Sequence, residues 1–296
     1  MEEIRELAQI QGLADNTLIG SPEDMGGSVI RFKGKGNLLY CEEGVKLSRC
    51  AISFQGDNGL VILGKNRHVY SMDISVNNNC SITFGRDCYF NGQLHAIASE
   101  ETDIFIGDDC LFSFGVWVRT ADPHLIYDAE THRRINPSRS VYIGDHVWIG
   151  QNALILKGTR IGSGAIIGAG SVVSGKTITS NSSWAGNPVR KKRDGIFWDE
   201  PCVHTWTSEM TEKHEIRKTR KFIFNPDAHT VDFDTLHAPH ESAEERLAKH
   251  LAIGYDNLQK NRFAIRDAVP PAQKKRGSIS TVIKRLAKTG SGQEGK

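Results

Sequence analysis

The sequence predicts an all-β fold, a parallel β-helix followed by a C-terminal extension of mixed and helical structure. Three observations predict it: apolar residues recur at every sixth position, glycine is abundant with 29 residues, and proline is scarce with 9. A fixed internal period takes precedence over local patterns, because each repeat is a structural unit that stacks on the next. At 296 residues the chain has room for one large domain and a smaller appendage.

The six-residue period is clearest between residues 141 and 173. Aliphatic residues fill every sixth position there: Ile143, Ile149, Ile155, Ile161, Ile167 and Val173. Small or β-branched residues stand two positions earlier: Val141, Val147, Ala153, Thr159, Ala165 and Ser171. Six residues make one short strand and a turn, so three units return the chain above its start, about 4.8 Å higher. We therefore expect the aliphatic residues to point inward and stack on their copies.

The same period occurs earlier in the chain, with interruptions. Its members are Ile106, Phe112 and Val118, the pair Phe84 and Phe90, and a first series of Leu39, Val45, Ala51, Leu63 and Val69. The phase breaks near residues 70–82, 97–103 and 120–140, where we expect loops to leave the column. The alternative, an antiparallel sandwich, would show a period of two and hairpin turns. The period itself does not give the handedness of the helix.

These patterns divide the chain into an N-terminal segment 1–35, a repeat domain 36–189 that carries the loop 120–140, and a C-terminal extension 190–296. In the extension, FWDEPCVHTW should pack against the column rather than form a lid. A helix is expected from about Ser242 to Leu258, because SAEE supplies a capping box. Its apolar face would be formed by three leucines: Leu247, Leu251 and Leu258. Beyond Lys288 the sequence is of low complexity and predicts disorder.

Composition excludes several classes of protein. The chain is 39% hydrophobic and 24% charged, as in ordinary soluble proteins. No apolar run approaches the roughly 18–20 residues of a membrane span, and the start MEEIRELAQIQ lacks the features of a secretory signal. The six cysteines form no CxxC pair and no zinc-type spacing, which predicts free thiols and a cytoplasmic protein.

Charge is unevenly distributed although the net charge is only +2. From Lys260 to the end there are ten Lys or Arg residues and two acidic ones. Such a tail is either solvated or in peripheral contact with a membrane or another polyanion. No nucleic-acid partner is expected.

Three motifs stand out from the repeats. The segment VYIGDHVWIG carries Trp148 at an exposed repeat position, where a small or polar residue would be usual. The sequence DPH lies in the largest phase break, and its His124 precedes Trp148 by 24 residues. The repeats close with AGNP at 185–188, which basic residues follow.

Together, and in this order, these motifs resemble the hexapeptide-repeat acyltransferases over roughly residues 80–195. Within that family the chain looks most similar to galactoside and maltose O-acetyltransferases and to capsular polysaccharide O-acetyltransferases of the polysialic acid type. The resemblance implies a left-handed parallel β-helix and a homotrimer with active sites in the clefts between subunits. It also implies acetyl-CoA as the acyl donor and a sugar or polysaccharide as the acceptor.

Acyl transfer from a thioester to an alcohol requires a base of near-neutral pKa beside the hydroxyl and hydrogen-bond donors for the oxyanion. His124 is the candidate base, and His95 and His132 are the alternatives. Asp122 or a backbone carbonyl would orient the imidazole. No serine or cysteine has the surroundings of an activated nucleophile, so direct transfer in a ternary complex is expected.

The resemblance assigns roles to further residues. Asn91 matches an asparagine that would hydrogen-bond the acceptor or the oxyanion; the alternative is a corner residue selected for its backbone conformation. Glu100 and Glu101 lie where related enzymes carry an acceptor-binding acid. Trp148 would cover the acetyl-pantetheine arm and the acceptor, with packing between subunits as the alternative.

CoA would lie in a groove beside the coils. Backbone groups at Gln151, Ala169 and Ser174 would contact it there. Arg190 and Arg193 would meet its phosphates, although the run RKKR is equally consistent with a solvated basic surface.

Three other functions remain open at this point. One is N-acylation of a nucleotide-linked amino sugar, and another is a non-catalytic assembly protein built on the same repeats. The third is a zinc carbonic anhydrase of the γ type. The spacing of His95, His124 and His132 argues against it, because it is not the spacing of metal ligands. No metal is expected.

Overall fold

The computed structural model describes residues 1–224, 231–236, 238, 240–253 and 261–266. Chain contacts divide the protein into Met1–Arg266 and Asp267–Lys296, and the second unit lies outside the described residues. Of the predicted basic tail, which begins at Lys260, only residues 261–266 are described, and Arg262 among them is buried and not solvated.

Three sheets form the sides of a column, and nearly all of their strand pairings are parallel. The first face consists of Glu2–Ile4, Val29–Phe32, Ala51–Phe54, Met72–Val76, Leu94–Ala98, Trp117–Arg119, Leu154–Leu156 and Val172–Ser174. The second face consists of Thr17–Ile19, Leu38–Cys41, Leu60–Leu63, Ser81–Phe84, Asp103–Ile106, Val141–Ile143, Arg160–Ile161 and Thr177–Ile178. The third face consists of Tyr89–Phe90, Leu111–Phe112, Trp148–Ile149, Ile166–Ile167, Ser182–Ala185 and Arg190–Asp194. The predicted parallel β-helix is confirmed.

Antiparallel strands lie at both ends of the column. Glu2–Ile4 pairs antiparallel with Val29–Phe32, and Arg190–Asp194 pairs antiparallel with Ser182–Ala185. The short helices among the described residues are the 3₁₀ turns Leu7–Gly12, Val203–Thr205 and Phe233–Thr235 and the α-helix Ser208–Lys213. None of the helices in the described part is long and apolar enough to cross a bilayer.

The predicted aliphatic ladder forms the core of the upper column. All six residues from Ile143 to Val173 are completely buried, and so are the six small or β-branched residues that precede them. Aromatic rings continue the stacking in the lower coils, where the ring centres of Phe32 and Phe54 are 4.7 Å apart. Five of the six free cysteines are buried in the same core, and Cys202 is exposed.

The first series of the predicted period is partly wrong. Val69 is 44% exposed, and Ala51 is only partly buried because the inward residue of that strand is Ile52. The reason is the length of the coils: on the first face Val29, Ala51, Asp73, His95 and Trp117 are register partners, each 22 residues from the next. Leu154 and Val172 are 18 residues apart. Only the upper coils therefore consist of three strict six-residue units.

The predicted phase breaks have different structures. Residues 70–82 do not leave the column, because Met72–Val76 is a strand of the first face. Near residue 100 the chain turns a corner at which Glu100 and Glu101 both adopt positive φ angles of 61° and 56°. The third break, 120–140, is a loop that projects from the column, as predicted.

The C-terminal extension covers part of the second face. Its helix Ala243–Ala252 begins with the predicted capping box of Ser242 and Glu245. Leu247 is buried and belongs to a cluster with three outward residues of the second face, Leu38, Leu60 and Ile62. The predicted leucine face is wrong at Leu251, which is 36% exposed, and Leu258 lies outside the described residues. The buried face of the helix instead contains polar residues, Arg246 and His250.

Two arginines of the extension bond to the column. Arg246 is completely buried and donates hydrogen bonds to the carbonyl of Asn79 and the hydroxyl of Ser81, both 2.8–2.9 Å long. Arg262 donates to both carboxylate oxygens of Asp145 at 2.7 and 2.9 Å and lies 2.8 Å from Asp108. Burial raises the pKa of Asp108 above its ordinary range although Arg262 acts in the opposite direction.

We expect Arg262→Ala to lower the free energy of unfolding by about 3–5 kcal/mol, because it leaves two carboxylates without their buried cation. The loss should be smaller near pH ~5 than near pH ~8, since a carboxyl group whose folded-state pKa is raised can take up a proton as the pH falls. Urea unfolding measures both values. The control is Arg217→Ala, which removes an exposed ion pair with Asp199 and should cost less than about 1 kcal/mol. Equal losses in the two variants would contradict the account.

Candidate active site

Several of the predicted site residues lie along one edge of the column, where the third face meets the first. The backbone N–H of Asn91 donates to the carbonyl of Phe112, and in the next coil the backbone N–H of Ser113 donates to the carbonyl of Ile149. The ladder continues upward through Gly150 and Gly168, which donate to Ile167 and Trp184. Asn91, Ser113, Gly150 and Gly168 therefore occupy equivalent corner positions in successive coils. We call this corner the donor edge.

Trp148 stands on the third face beside the donor edge. It is 38% exposed and its indole N–H donates to the hydroxyl of Ser113 at 3.3 Å. The register places Leu111 directly below it and Ile166 directly above it. Asn91, two coils lower, is exposed, and its φ angle is not in the left-handed region. An unusual backbone conformation therefore does not account for the asparagine.

Two of the predicted CoA contacts follow in the corner above Trp148. Gln151 and Ala169 are both exposed, and the carbonyl of Gln151 accepts the N–H of Gly170 at 2.7 Å. A Cβ atom on Gly150 would lie 2.6 Å from the backbone nitrogen of Ala169. Glycine is thus required for the close spacing of these coils. Ser174 is exposed but ends a strand of the first face, away from this corner.

The predicted phosphate-binding arginines lie at the top of the column. In the register of the last two strands, Arg190 lies opposite Ala185, and Arg193 lies opposite Ser183. Ala185 is at the corner of the donor edge, so Arg190 extends that edge upward. Both side chains are exposed, and Arg190 donates to the carbonyl of Val189 at 3.0 Å. Between them, Lys191 is paired with Asp194.

The loop with His124 leaves from the other edge of the first face. It begins after Thr120 and returns at Arg139, whose N–H donates to the carbonyl of Thr120 at 3.0 Å. The side chain of His124 is exposed, and its ring makes no hydrogen bond to any residue in the described part of the chain. His132 lies in a turn of the same loop, with a φ angle of 54°. We call this corner, with the loop, the base edge.

Asn136 holds the two sides of the loop together. Its side chain is buried, and its Nδ2 donates to the carbonyl of His124 at 2.8 Å and to Asp122 at 3.3 Å. Its Oδ1 accepts the N–H of Ile126 at 2.9 Å. These bonds fix the backbone on both sides of His124.

Asp122 is bonded to Lys157 and makes no hydrogen bond to the His124 imidazole, so the predicted orienting role is wrong in this single chain. Lys157 donates to its carboxylate at 2.6 Å and to the carbonyl of Asn136 at 3.1 Å. The hydrogen bond from Lys157 holds the pKa of Asp122 below its usual value. Asp122 therefore attaches the loop to the column.

Glu100 accepts hydrogen bonds from the part of the loop that returns to the column. Arg134 and Ser138 both donate to its carboxylate, the hydroxyl of Ser138 at 2.6 Å. The bonds from Arg134, followed by those from Ser138, lower the pKa of Glu100 to about 2. Glu101 points elsewhere and accepts the side-chain N–H of Asn79 at 2.9 Å. Glu100 is thus engaged within the loop in this single chain.

The donor edge and the base edge are separated by the width of the first face. One coil runs from Ser113 at the donor edge, through a turn at residues 114–115 and the strand Trp117–Arg119, to Thr120 at the base edge. The contacts that anchor the loop all lie at the base edge, at Glu100, Thr120 and Lys157. The structure therefore brings Asn91, Trp148 and the upper corner residues together, and places His124 at the opposite edge.

Sequence reasoning missed the environment of His146, which lies two residues before Trp148. Its ring is buried between the rings of Trp198 and Phe222, with distances of 4.0 and 4.1 Å between ring centres. Its Nδ1 is 2.8 Å from the carboxylate of Asp109. Trp198 is buried in turn and its indole N–H donates to the carbonyl of His146 at 2.9 Å, so the predicted packing of its segment on the column holds at Trp198, whereas residues 200–205 are exposed. No local pattern indicates this contact, because its partners are about 50 and 75 residues further along the chain.

Among the described residues, no group of three or more His, Cys, Asp or Glu side chains is arranged to hold a metal ion. His95, the other alternative base, is stacked on Trp117 at 4.3 Å on the first face. Its Nδ1 lies 3.8 Å from the carboxylate of Asp73.

Comparison with known proteins agrees with this architecture. Residues 140–175 match the family model for the bacterial transferase hexapeptide, six repeats. The polysialic acid O-acetyltransferase of Neisseria meningitidis is 27% identical over 138 residues, which is 46% of this chain and 63% of that protein. The chain thus spans less than two thirds of that relative.

Two crystal structures extend the similarity. The polySia-specific acetyltransferase NeuO is 28% identical with a TM-score of 0.60, over 68% of this chain and 94% of that chain. The polysialic acid O-acetyltransferase OatWY is 24% identical with a TM-score of 0.51, over 68% of this chain and 95% of that chain, and shows the fold alone. The resemblance read from the sequence is confirmed.

We expect Glu100→Gln to make the loop more accessible to protease, because a neutral amide holds Arg134 and Ser138 less firmly. Trypsin should cleave after the loop arginines several times faster than in the unmodified protein. Glu101→Gln is the matched control, since that glutamate contacts Asn79 and not the loop. Equal cleavage rates for both variants would show that Glu100 does not hold the loop.

Proposed function

We propose that this chain is an acetyl-CoA-dependent O-acetyltransferase that modifies a sugar hydroxyl of a bacterial capsular or cell-surface polysaccharide. The observation that carries the proposal is a loop histidine, His124, whose backbone is held by Asn136, and an exposed tryptophan, Trp148, on the same column. The similarity to NeuO and to the Neisseria meningitidis enzyme, both acetyltransferases for polysialic acid by name, supports the reaction and the class of acceptor.

The working enzyme is proposed to be a homotrimer. In one chain the base edge and the donor edge lie on opposite sides of the first face, so His124 and Trp148 belong to different corners of the column. A ring of three identical subunits brings the base edge of one against the donor edge of the next, because a heterologous contact closes when the rotation is one third of a turn. Each cleft then contains one complete site.

In this cleft His124 acts as the general base. It takes the proton of the acceptor hydroxyl as the oxygen attacks the thioester carbonyl of acetyl-CoA. The new C–O bond forms, the C–S bond breaks, and the proton passes from the imidazole to the departing CoA sulfur. Asn136 and Lys157 hold the loop in place, so little entropy is lost in positioning the base when the substrates bind.

The donor edge is proposed to bind acetyl-CoA and to stabilise the transition state. Trp148 covers the pantetheine arm, and backbone groups of the exposed residues Gln151 and Ala169 form hydrogen bonds along the CoA. The side-chain amide of Asn91 is available for the oxyanion or the acceptor, which would be worth on the order of 3 kcal/mol. Arg190 and Arg193, at the top of the column, meet the phosphates.

We expect His124→Ala to lower kcat by roughly 10²–10⁴-fold, because general base catalysis contributes about that factor. Transfer is followed by release of the CoA thiol with capsular oligosaccharides as acceptors. His132→Ala is the control, since that histidine lies in the same loop and should leave kcat within about twofold. Full activity of His124→Ala would refute the assignment.

The phosphate contacts are tested separately from the chemistry. Arg190→Ala should raise the KM for acetyl-CoA roughly tenfold through the loss of a charge-assisted hydrogen bond, and leave the KM for acetyl-pantetheine unchanged. Lys192→Ala, on the same strand, is the control and should change neither value. A parallel rise for both donors would mean that Arg190 does not contact the phosphates.

A further inference from the structure

Of the four corner positions of the donor edge, two carry side chains. In the upper coils the corner residues are Gly150 and Gly168, and a Cβ atom on Gly168 would lie 2.8 Å from the Cβ atom of Ala185. The upper corner therefore has no room for a side chain. In the two coils below, the same position holds Asn91 and Ser113, whose side chains can both donate a hydrogen bond. Adjacent coils are about 4.8 Å apart, so one oxygen atom between them is within reach of both donors.

The hydroxyl of Ser113 is bonded to Trp148 in a way that leaves its hydrogen available. The register places Leu111 directly below Trp148, and Ser113 follows two residues later. The indole N–H of Trp148 donates to the Ser113 Oγ at 3.3 Å. An indole is a donor only, so the serine oxygen is the acceptor in this bond. Among the described residues no group accepts the hydroxyl hydrogen of Ser113.

Ser113 has the surroundings of a hydrogen-bond donor and not those of a nucleophile. A serine attacks a carbonyl only when a neighbouring base takes its proton. In the described part of the chain no histidine, lysine or carboxylate hydrogen-bonds to the Ser113 hydroxyl. This agrees with the direct transfer expected from the sequence, in which the base acts on the acceptor hydroxyl.

Aromatic side chains border this hydroxyl. Phe114, the next residue, is 56% exposed, and a Cβ atom on Gly92 would lie 2.8 Å from its ring. The Phe114 ring thus lies over the coil below, next to Asn91, while the partly exposed Trp148 stands on the other side of Ser113. A ligand that covers these rings excludes water from the hydroxyl. A hydrogen bond to a charged oxygen is stronger in such a place than in water.

We propose that the Ser113 hydroxyl donates a hydrogen bond to the carbonyl oxygen of the acetyl thioester and stabilises the negative charge on this oxygen during transfer. This rests on the proposed function, which places the acetyl-pantetheine arm against Trp148. As the acceptor oxygen forms the C–O bond, the carbonyl electron pair moves to the thioester oxygen, and it returns when the C–S bond breaks. Ser113 keeps its proton throughout. Its bond is strongest while the oxygen is charged, so it lowers the barrier.

Ser113→Ala should lower kcat by roughly 10–100-fold, because a hydrogen bond to a charged oxygen is lost. The KM for acetyl-CoA should stay within about twofold, since the bond acts mainly in the transition state. Ser113→Thr retains a hydroxyl and should keep most of the activity. The control is Ser208→Ala, which changes an exposed serine of the C-terminal extension and should alter neither value. An unchanged kcat in Ser113→Ala overturns the proposal.

A purely supporting role of Ser113 toward Trp148 is separated by a double-mutant cycle. Trp148→Phe keeps an aromatic ring and removes the indole N–H. If Ser113 acted only through that N–H, adding Ser113→Ala to Trp148→Phe would cause no further loss of kcat. Direct donation to the substrate predicts a further loss of about fivefold or more. The absence of this further loss overturns the proposal.

Infrared spectroscopy tests the bond without any acceptor. The probe is acetyl-CoA with an isotopic label at the carbonyl carbon, bound to the assembled protein. A hydrogen bond to a carbonyl oxygen lowers its stretching frequency, so the labelled band should lie at higher frequency in Ser113→Ala than in the unmodified protein or Ser113→Thr. Equal frequencies in the three proteins overturn the proposal. An acetyl group found on Ser113 by mass spectrometry also overturns it, because the serine would then be a nucleophile.

Failure of the proposed function gives a different pattern. If the band shifts in Ser113→Ala but no sugar is acetylated, the inference about Ser113 holds and the acceptor is not a sugar. If sugars are acetylated equally fast by Ser113→Ala, the function stands and the inference fails. If acetyl-CoA does not bind to the unmodified protein, both fail.

Discussion

Everything in this protein depends on the stacking of inward residues between parallel strands about 4.8 Å apart. Each coil places its inward side chains on their counterparts in the coil below, as Ile143, Ile161 and Ile178 do on the second face. A shift of one residue would turn every inward side chain to the surface, so the register is strongly fixed. Because inward residues are fixed, the outward residues are fixed as well. The positions of the candidate site residues follow from that rigidity.

The same constraint explains why the candidate site is divided. Outward residues of one corner form a vertical series, which aligns Asn91 with the corner beside Trp148. A loop inserted at the next corner keeps His124 on the other side of the first face. The C-terminal extension contributes by occupying part of the second face, where its helix packs on Leu38 and Leu60. In the proposed trimer the first and third faces would meet a neighbouring subunit.

The sequence predicts the part of the fold in which the period is strict. Above residue 141 coils of 18 residues keep the six-residue phase visible, whereas the 22-residue coils below have longer corners that hide it, as at Val69. His124 and Trp148 are found from motifs because each lies at a break in a regular pattern. Asn136 and Lys157 cannot be found in this way, because their contacts depend on how the loop folds back on the column.

Subunit complementation tests the divided site most directly. One variant is His124→Ala, and the other carries Asn91→Ala and Trp148→Ala together; both are expected to be nearly inactive alone. When equal amounts are dissociated and reassembled, a shared site predicts recovery to about a quarter of normal activity, because one cleft in four receives both intact edges in a randomly mixed cyclic trimer. If mixed assemblies form and no activity returns, each site lies within one subunit and the account is contradicted.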